Sequence, residues 1–229
     1  MKNLLTKILI ALSLIALPQV ISAEKMGIPD PGRDSYFNAL EGKTVAYVPL
    51  AMGFDLTEGW WAGMKASLEP LGVKLILRDP NWSADAGSKA ITSLISEKPD
   101  LMVIHNPDVQ TYAKLLRKAE KAGIPIVQIN MKSAFPTSAF VGADWVKIGE
   151  MVTQQVVDRC GAGTSQKIAI VQGVLTAAAS AYQLRGVSNV LEKNPNIKVV
   201  SNQAADWDST KARAITETTL QQHPDLCGI

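Results

Sequence analysis

Two tryptophans, Trp82 and Trp207, each close a short polar loop that follows an apolar run. The loops are Asp79-Pro80-Asn81-Trp82 and Ala205-Asp206-Trp207-Asp208. A tryptophan in such a loop offers a flat apolar face with one polar edge, on which a ring can stack. Covalent chemistry has weaker candidates. His105 and His223 are the only histidines, they stand far apart, and no His/Cys group has metal-ligand spacing. There is no Gly-x-Ser-x-Gly elbow for a nucleophilic serine. The run Gly161-Ala162-Gly163-Thr164-Ser165-Gln166-Lys167 has the glycines of a phosphate loop, but it precedes a strand instead of following one. No two carboxylates are set as a convincing pair for glycoside hydrolysis. The residues thus offer no metal or cofactor site and no convincing catalytic set, and an enzyme is not expected.

The apolar pattern supplies the framework that positions these loops. Strand runs at 45–50, 73–78, 101–104, 124–129 and 139–142 alternate with helical stretches at 57–71, 84–97, 109–122 and 146–159. Fully apolar strands between helices predict a parallel sheet covered on both faces. Ligands then belong at the carboxyl ends of the strands. After the glycine-rich stretch 161–165 the alternation resumes, with strands at 167–172 and 197–201, helices at 181–192 and 209–222, and a strand beginning at Leu226. The predicted fold class is α/β with two lobes, at 24–160 and 161–229.

The second lobe echoes the first. Val73-Lys74-Leu75-Ile76, Trp82, Ala90-Ile91-Thr92 and Pro99-Asp100-Leu101 are answered by Ile197-Lys198-Val199-Val200, Trp207, Ala214-Ile215-Thr216 and Pro224-Asp225-Leu226. Equivalent loops ending in Trp82 and Trp207 predict a cleft with an aromatic on each side. Trp60 and Trp61 lie on the first helix, where one or both pack on the sheet, and Trp145 starts a helix and suits either role. Asp79, Asp144, Asp206 and Asp208 read first as caps or turn formers, and Asp206 also as a cleft residue. The chain reaches Ile229 inside an apolar run, which leaves the second lobe with fewer strands than the usual four to six. The expectation is a longer protein with an incomplete second lobe here.

Residues 1–23 read as a leader. Lys2 and Lys7 precede an apolar run at 8–17 closed by Pro18, and Ile21-Ser22-Ala23 places a cut before Glu24. The run is shorter than the roughly 20 residues that span a bilayer, so the expected product is exported to the periplasm and soluble. Loss of the two lysines brings the basic residues from 23 to 21, equal to the acidic ones. A neutral chain has no footprint for nucleic acid or anionic lipid. An oxidising compartment permits a disulfide between Cys160 and Cys227. Two buried thiols are the alternative, and the bridge is favoured.

Several short motifs then follow in order: Ile104-His105-Asn106-Pro107-Asp108, Ala122-Gly123-Ile124-Pro125-Ile126, Val141-Gly142-Ala143-Asp144, Val171-Gln172-Gly173, Leu184-Arg185-Gly186 and Ala205-Asp206-Trp207-Asp208. With these motifs the mature chain resembles the ribose-type periplasmic binding proteins, type I solute-binding proteins of ABC importers. Repressors of the lactose class share that fold but begin with a helix-turn-helix where this chain has a leader. The resemblance implies a monomer without cofactor whose lobes close by hinge motion on a sugar or sugar-like solute. It implies ABC permease subunits in the membrane as partners.

The resemblance also implies ligand roles for Phe54 and Asp55 after the first strand, Asn106 after the third, Arg185 on sugar hydroxyls and Trp207 stacked on the ring. Asn130 and Met131 fall where ribose binders place Asp-Arg. That departure removes a carboxylate and a guanidinium and points away from ribose itself. The stretch 173–185 is slightly longer than in ribose binders. A periplasmic receptor feeding a chemoreceptor or sensor kinase is the alternative with the same cleft, and a secreted carbohydrate-active enzyme ranks below both.

Overall fold

The computed structural model describes residues 31–229, so the leader expected at 1–23 lies outside the described residues. The first element is helix α1 (Pro31–Asn38). Its sequence PGRDSYFN has no apolar period, which is why no element was expected before Lys43. There follow β1 (Thr44–Val48), α2 (Asp55–Leu68) with a 3-10 turn at Glu69–Leu71, β2 (Lys74–Leu77), α3 (Ala84–Glu97), β3 (Leu101–Ile104), α4 (Ala113–Lys121), β4 (Ile126–Ile129) and β5 (Ala139–Val141). The five strands pair in parallel in the order β2-β1-β3-β4-β5. The order reverses between β1 and β3, and the crevice beyond the strand ends at such a reversal is where open α/β sheets hold ligands.

Side-chain alternation assigns the two faces of this sheet. Ala46, Val48, Met102, Ile104 and Ile126 turn to one face, beneath Ile91 and Leu94 of α3 and Leu116 of α4. Val45, Tyr47 and Val103 turn to the other, beneath Trp60, Trp61 and Met64 of α2. This is the period of two that an extended chain imposes. Each large side chain so buried contributes about 1.5–3 kcal/mol. The helices also start where local chemistry lets them. Ser83 caps α3 by accepting from Ala86 N. Asp108 accepts from the N–H groups of Gln110 and Thr111, both at 2.7 Å, and this turn occupies the positions expected as the first turn of α4.

The remainder comprises α5 (Trp145–Arg159), β6 (Lys167–Gln172), α6 (Ala178–Leu191), β7 (Lys198–Ala204) and α7 (Ser209–Gln222). β6 and β7 form a second parallel pair, and Gly228 bridges Ile168 in parallel as well. β7 continues through the polar Asn202 and Gln203 because its ladder to β6, not burial, carries it there.

α5 packs with this second sheet. Val157 and Cys160 join Ile168, Val190 and Ile197 in one apolar cluster. Gly149 and Gly186 let α5 and α6 approach closely, since an added Cβ would lie 2.2 Å from Gln183 O and 2.1 Å from Val146 O. Cys160 and Cys227 are joined by a disulfide with Cα atoms 5.6 Å apart. Residues 145–160, expected with the first lobe, thus share their core with the second. The physical reason is that the apolar face of α5 is answered by α6 and β6. Among the described residues no helix is long and apolar enough to cross a membrane.

Candidate ligand-binding cleft

The loops after β1, β2, β3 and β4 meet α6 and the loop after β7 around a cavity of about 350 Å³. Leu50 and Phe54 come from the first loop and Trp82 from the second. His105 follows β3, and Asn130 and Met131 follow β4. Opposite them stand Ala179, Gln183 and Trp207. Beside the cavity, Leu50 and Met131 are buried against Ala177, Ala178 and Ala179, so an apolar cluster joins the two sheets' loops. A second hollow of about 220 Å³ shares Leu50, Trp82 and Trp207 and adds Asp108 and Thr176.

The tryptophan loops are built alike. Asn81 and Trp82 have φ of 48° and 66°, and Asp206 and Trp207 have φ of 53° and 59°. Left-handed backbone is tolerated by Asn and Asp but is strained in a bulky residue, at about 1–3 kcal/mol each. Surrounding bonds hold both turns. Asp79 Oδ1 accepts from Asn81 N at 2.8 Å and from Met52 N at 3.2 Å. Trp82 N donates to Leu50 O at 2.8 Å. In the second loop Ala205 N donates to Gln172 O at 2.8 Å and Asp208 N to Ala205 O at 2.9 Å. A cap follows each turn, Ser83 in the first and Asp208, accepting from Lys211 N, in the second. Strain sustained at the same point of both repeats puts two half-open indoles on one cavity, 57% and 46% exposed. Trp82 stacks on Phe54 with ring centroids 5.3 Å apart. Trp207 lies flush on Gly173, where a Cβ would come within 2.1 Å of its Nε1.

The polar part of the wall is made of neutral groups. His105 is 1% exposed and meets Trp60 edge-on at 5.3 Å. Burial pushes its pKa down to about 4. Its Nε2 lies 3.2 Å from Asn130 Nδ2. The Trp145 indole N–H donates to Asn130 O at 2.8 Å. None of the described residues around the larger cavity is Asp, Glu, Lys or Arg. Such a wall does not compensate the desolvation of a charged ligand, and it suits a neutral one with apolar faces.

Of the residues singled out from sequence, the cavity gathers Phe54, Trp82, Asn130, Met131 and Trp207. It does not gather the other four. Asp55 is exposed as the first residue of α2. Asn106 is fully buried beneath the wall, its Nδ2 donating to Gln128 Oε1 and Met131 O, both at 2.8 Å. Asp206 pairs with Lys211 at 2.9 Å. Arg185 is exposed, whereas Gln183 lines the cavity. Two residues along a helix turn a side chain by about 200°, so only one of that pair faces the cleft. Leu50, Leu56, His105, Ala179 and Gln183 were not singled out as ligand residues, and Trp145, open to either role in the sequence, lines the cavity. Position after a parallel strand was the signal available for His105, and the phase of α6 was the signal for Gln183.

Residues 45–229 match the family model described as periplasmic binding protein domain. Among curated relatives, the chain is 28% identical over 168 residues to the ribose import binding protein RbsB of Bacillus subtilis, covering 73% of this chain and 54% of that one. It is 26% identical over 171 residues to a xylitol-binding protein of Mycolicibacterium smegmatis, covering 74% and 48%. The chain thus spans about half the length of the curated relatives it matches. Among solved structures, it superposes with a TM-score of 0.75 and 25% identity on an ABC transporter solute binding protein from Burkholderia graminis in complex with D-arabinose, covering 82% of this chain and 64% of that one.

Proposed function

The chain belongs to the periplasmic binding protein domain family, and from that premise we propose that it captures a neutral sugar or polyol for an ABC importer, without chemistry of its own. The observation that carries this reading is the pair of strained, half-open tryptophans facing one cavity whose wall bears no formal charge. A sugar ring presents apolar C–H faces and a rim of hydroxyls. Indole platforms take the faces, while Asn130 and Gln183 meet the rim.

In this reading residues 1–23 direct export to the periplasm and are removed. The lobes are drawn with α5 in the second, so the boundary falls at Gly142-Ala143-Asp144 instead of after Cys160. Phe54 and Trp82 hold one side of the solute and Trp207 the other. Greater affinity of solute for the closed arrangement shifts the lobes toward closure, and the closed monomer docks on permease subunits in the membrane.

The test is differential scanning calorimetry of the protein against neutral pentoses, hexoses and polyols, with sugar acids and amino sugars as charged controls. A solute at a hundredfold excess over its dissociation constant stabilises the fold by about 2.7 kcal/mol. The expected result is an upward shift with a neutral sugar or polyol. A cooperative melt that none of them moves, or that only a charged solute moves, overturns the reading.

A further inference from the structure

Two consecutive residues after β3 hold two consecutive residues after β4. His105 meets the side chain of Asn130, and Asn106 holds the carbonyl of Met131. Asn130 stands in left-handed backbone at φ 60° and is restrained at three points. Its N–H donates to Val141 O at 2.8 Å, its carbonyl accepts from the Trp145 indole at 2.8 Å, and its Nδ2 rests 3.2 Å from His105 Nε2. Its Oδ1 has no partner among the described residues and is not sealed in, while the residue lines the cavity.

Resting on the reading of this cavity as a solute site, we propose that His105 is the positioning residue that holds the Asn130 amide with Nδ2 inward and Oδ1 toward the cavity, so that the site selects a solute presenting a hydroxyl donor there. An unrestrained amide turns over and offers either its donor or its acceptor end. A neutral imidazole has one acceptor nitrogen, and an amide nitrogen facing it must donate. Burial keeps His105 neutral well below pH 7. The ring itself is confined. It is fully buried and edge-on to Trp60, and among the described residues its Nδ1 has no polar partner and Asn130 is the one polar side chain that orients it. Gln183 cannot substitute for this restraint, because it approaches the cavity from α6 on the opposite side.

The first test needs no ligand. The ¹⁵N resonances of the His105 ring at pH 7 read which nitrogen carries the proton. The expected pattern is an unprotonated, acceptor-type Nε2 and an Asn130 side-chain amide whose exchange with solvent quickens in His105→Leu. A protonated Nε2 at pH 7 overturns the proposal whatever the protein binds. The second test measures affinities of D-arabinose, D-ribose and xylitol against their monodeoxyfluoro derivatives, in which fluorine replaces one hydroxyl and cannot donate. At the hydroxyl that meets Asn130 the parent is expected to bind roughly tenfold tighter than the fluoro derivative. In His105→Leu the freed amide turns and that ratio narrows to about threefold or less. Parent and derivative weakened equally by His105→Leu would overturn the proposal. If none of the probes binds, the ring resonances still decide the orientation of Asn130, and the solute reading is decided separately by the calorimetric panel of neutral sugars and polyols.

Discussion

Acid should unfold this protein earlier than its carboxylates require, and His105 should be the cause. The side chain is 1% exposed, and burial lowers its pKa from 6.5 to about 4. In the unfolded chain it titrates near 6.5. Between these values the unfolded chain binds the proton more readily than the folded one. Stability is therefore complete above about pH 6.5 and falls as pH drops toward 4. Integrated from pH 7 to 4.5, the linkage comes to about 2 kcal/mol. The carboxylates act in a lower window. Asp100 is held down at about 2, first by the Thr44 N–H and then by Lys43, so its contribution is present above its ordinary 3.8 and is lost below it. Urea unfolding of the wild type and of His105→Gln at pH 7 and pH 4.5 isolates the effect. With a urea slope of about 2 kcal/mol per molar, the wild-type midpoint should fall by about 1 M more than that of the variant. Equal losses in the two proteins would refute burial of a neutral imidazole as the cause.

Three other perturbations test different parts of the structure. Trp82→Ala and Trp207→Ala remove half-exposed side chains, so calorimetric affinity for any neutral sugar or polyol that stabilises the wild type should drop at least about tenfold while unfolding free energy changes by less than about 1 kcal/mol. Gly186→Ala places a Cβ 2.1 Å from Val146 O and 2.7 Å from Glu150 N. Forcing α5 off α6 should destabilise by about 1–3 kcal/mol in urea titration. Reducing the Cys160–Cys227 bond opens a link between residues 67 apart. The chain-entropy model puts its contribution at about 4 kcal/mol, so the melting temperature should fall clearly in dithiothreitol, and an unchanged melt would sink that estimate.

Much of the fold was legible because its elements obey one period each. α3 at Ala84–Glu97, β3 at Leu101–Ile104, β6 at Lys167–Gln172 and α7 at Ser209–Gln222 fall where apolar spacing and polar breaks place them. The internal repeat also announced the two tryptophan loops, since both sequences follow a strand and precede a capped helix. Other features depend on contacts that no local pattern carries. Asn106 looks like a strand-end ligand in the sequence, yet Gln128 and the Met131 carbonyl claim its amide. Arg185 matches a ligand position of the family the sequence resembles, yet the phase of α6 turns Gln183 to the cavity and leaves Arg185 exposed. The allegiance of α5 to the second sheet rests on Gly149 and Gly186, two residues that carry no apolar signal at all.

The placement of indoles has a spectroscopic consequence. Of the five tryptophans in the chain, Trp82, Trp145 and Trp207 line the cavity, and Trp60 touches His105 from behind it. Intrinsic emission therefore comes mainly from the place where occupancy changes solvent contact. Trp82 and Trp207 should shift to the blue when a solute excludes water from them, while Trp145, tied to the Asn130 carbonyl, shifts less. Trp60 lies beside an imidazole whose protonated form quenches indole fluorescence, so acidification should dim it in step with His105. The protein carries its own optical reporters of filling and of protonation, and neither requires a label.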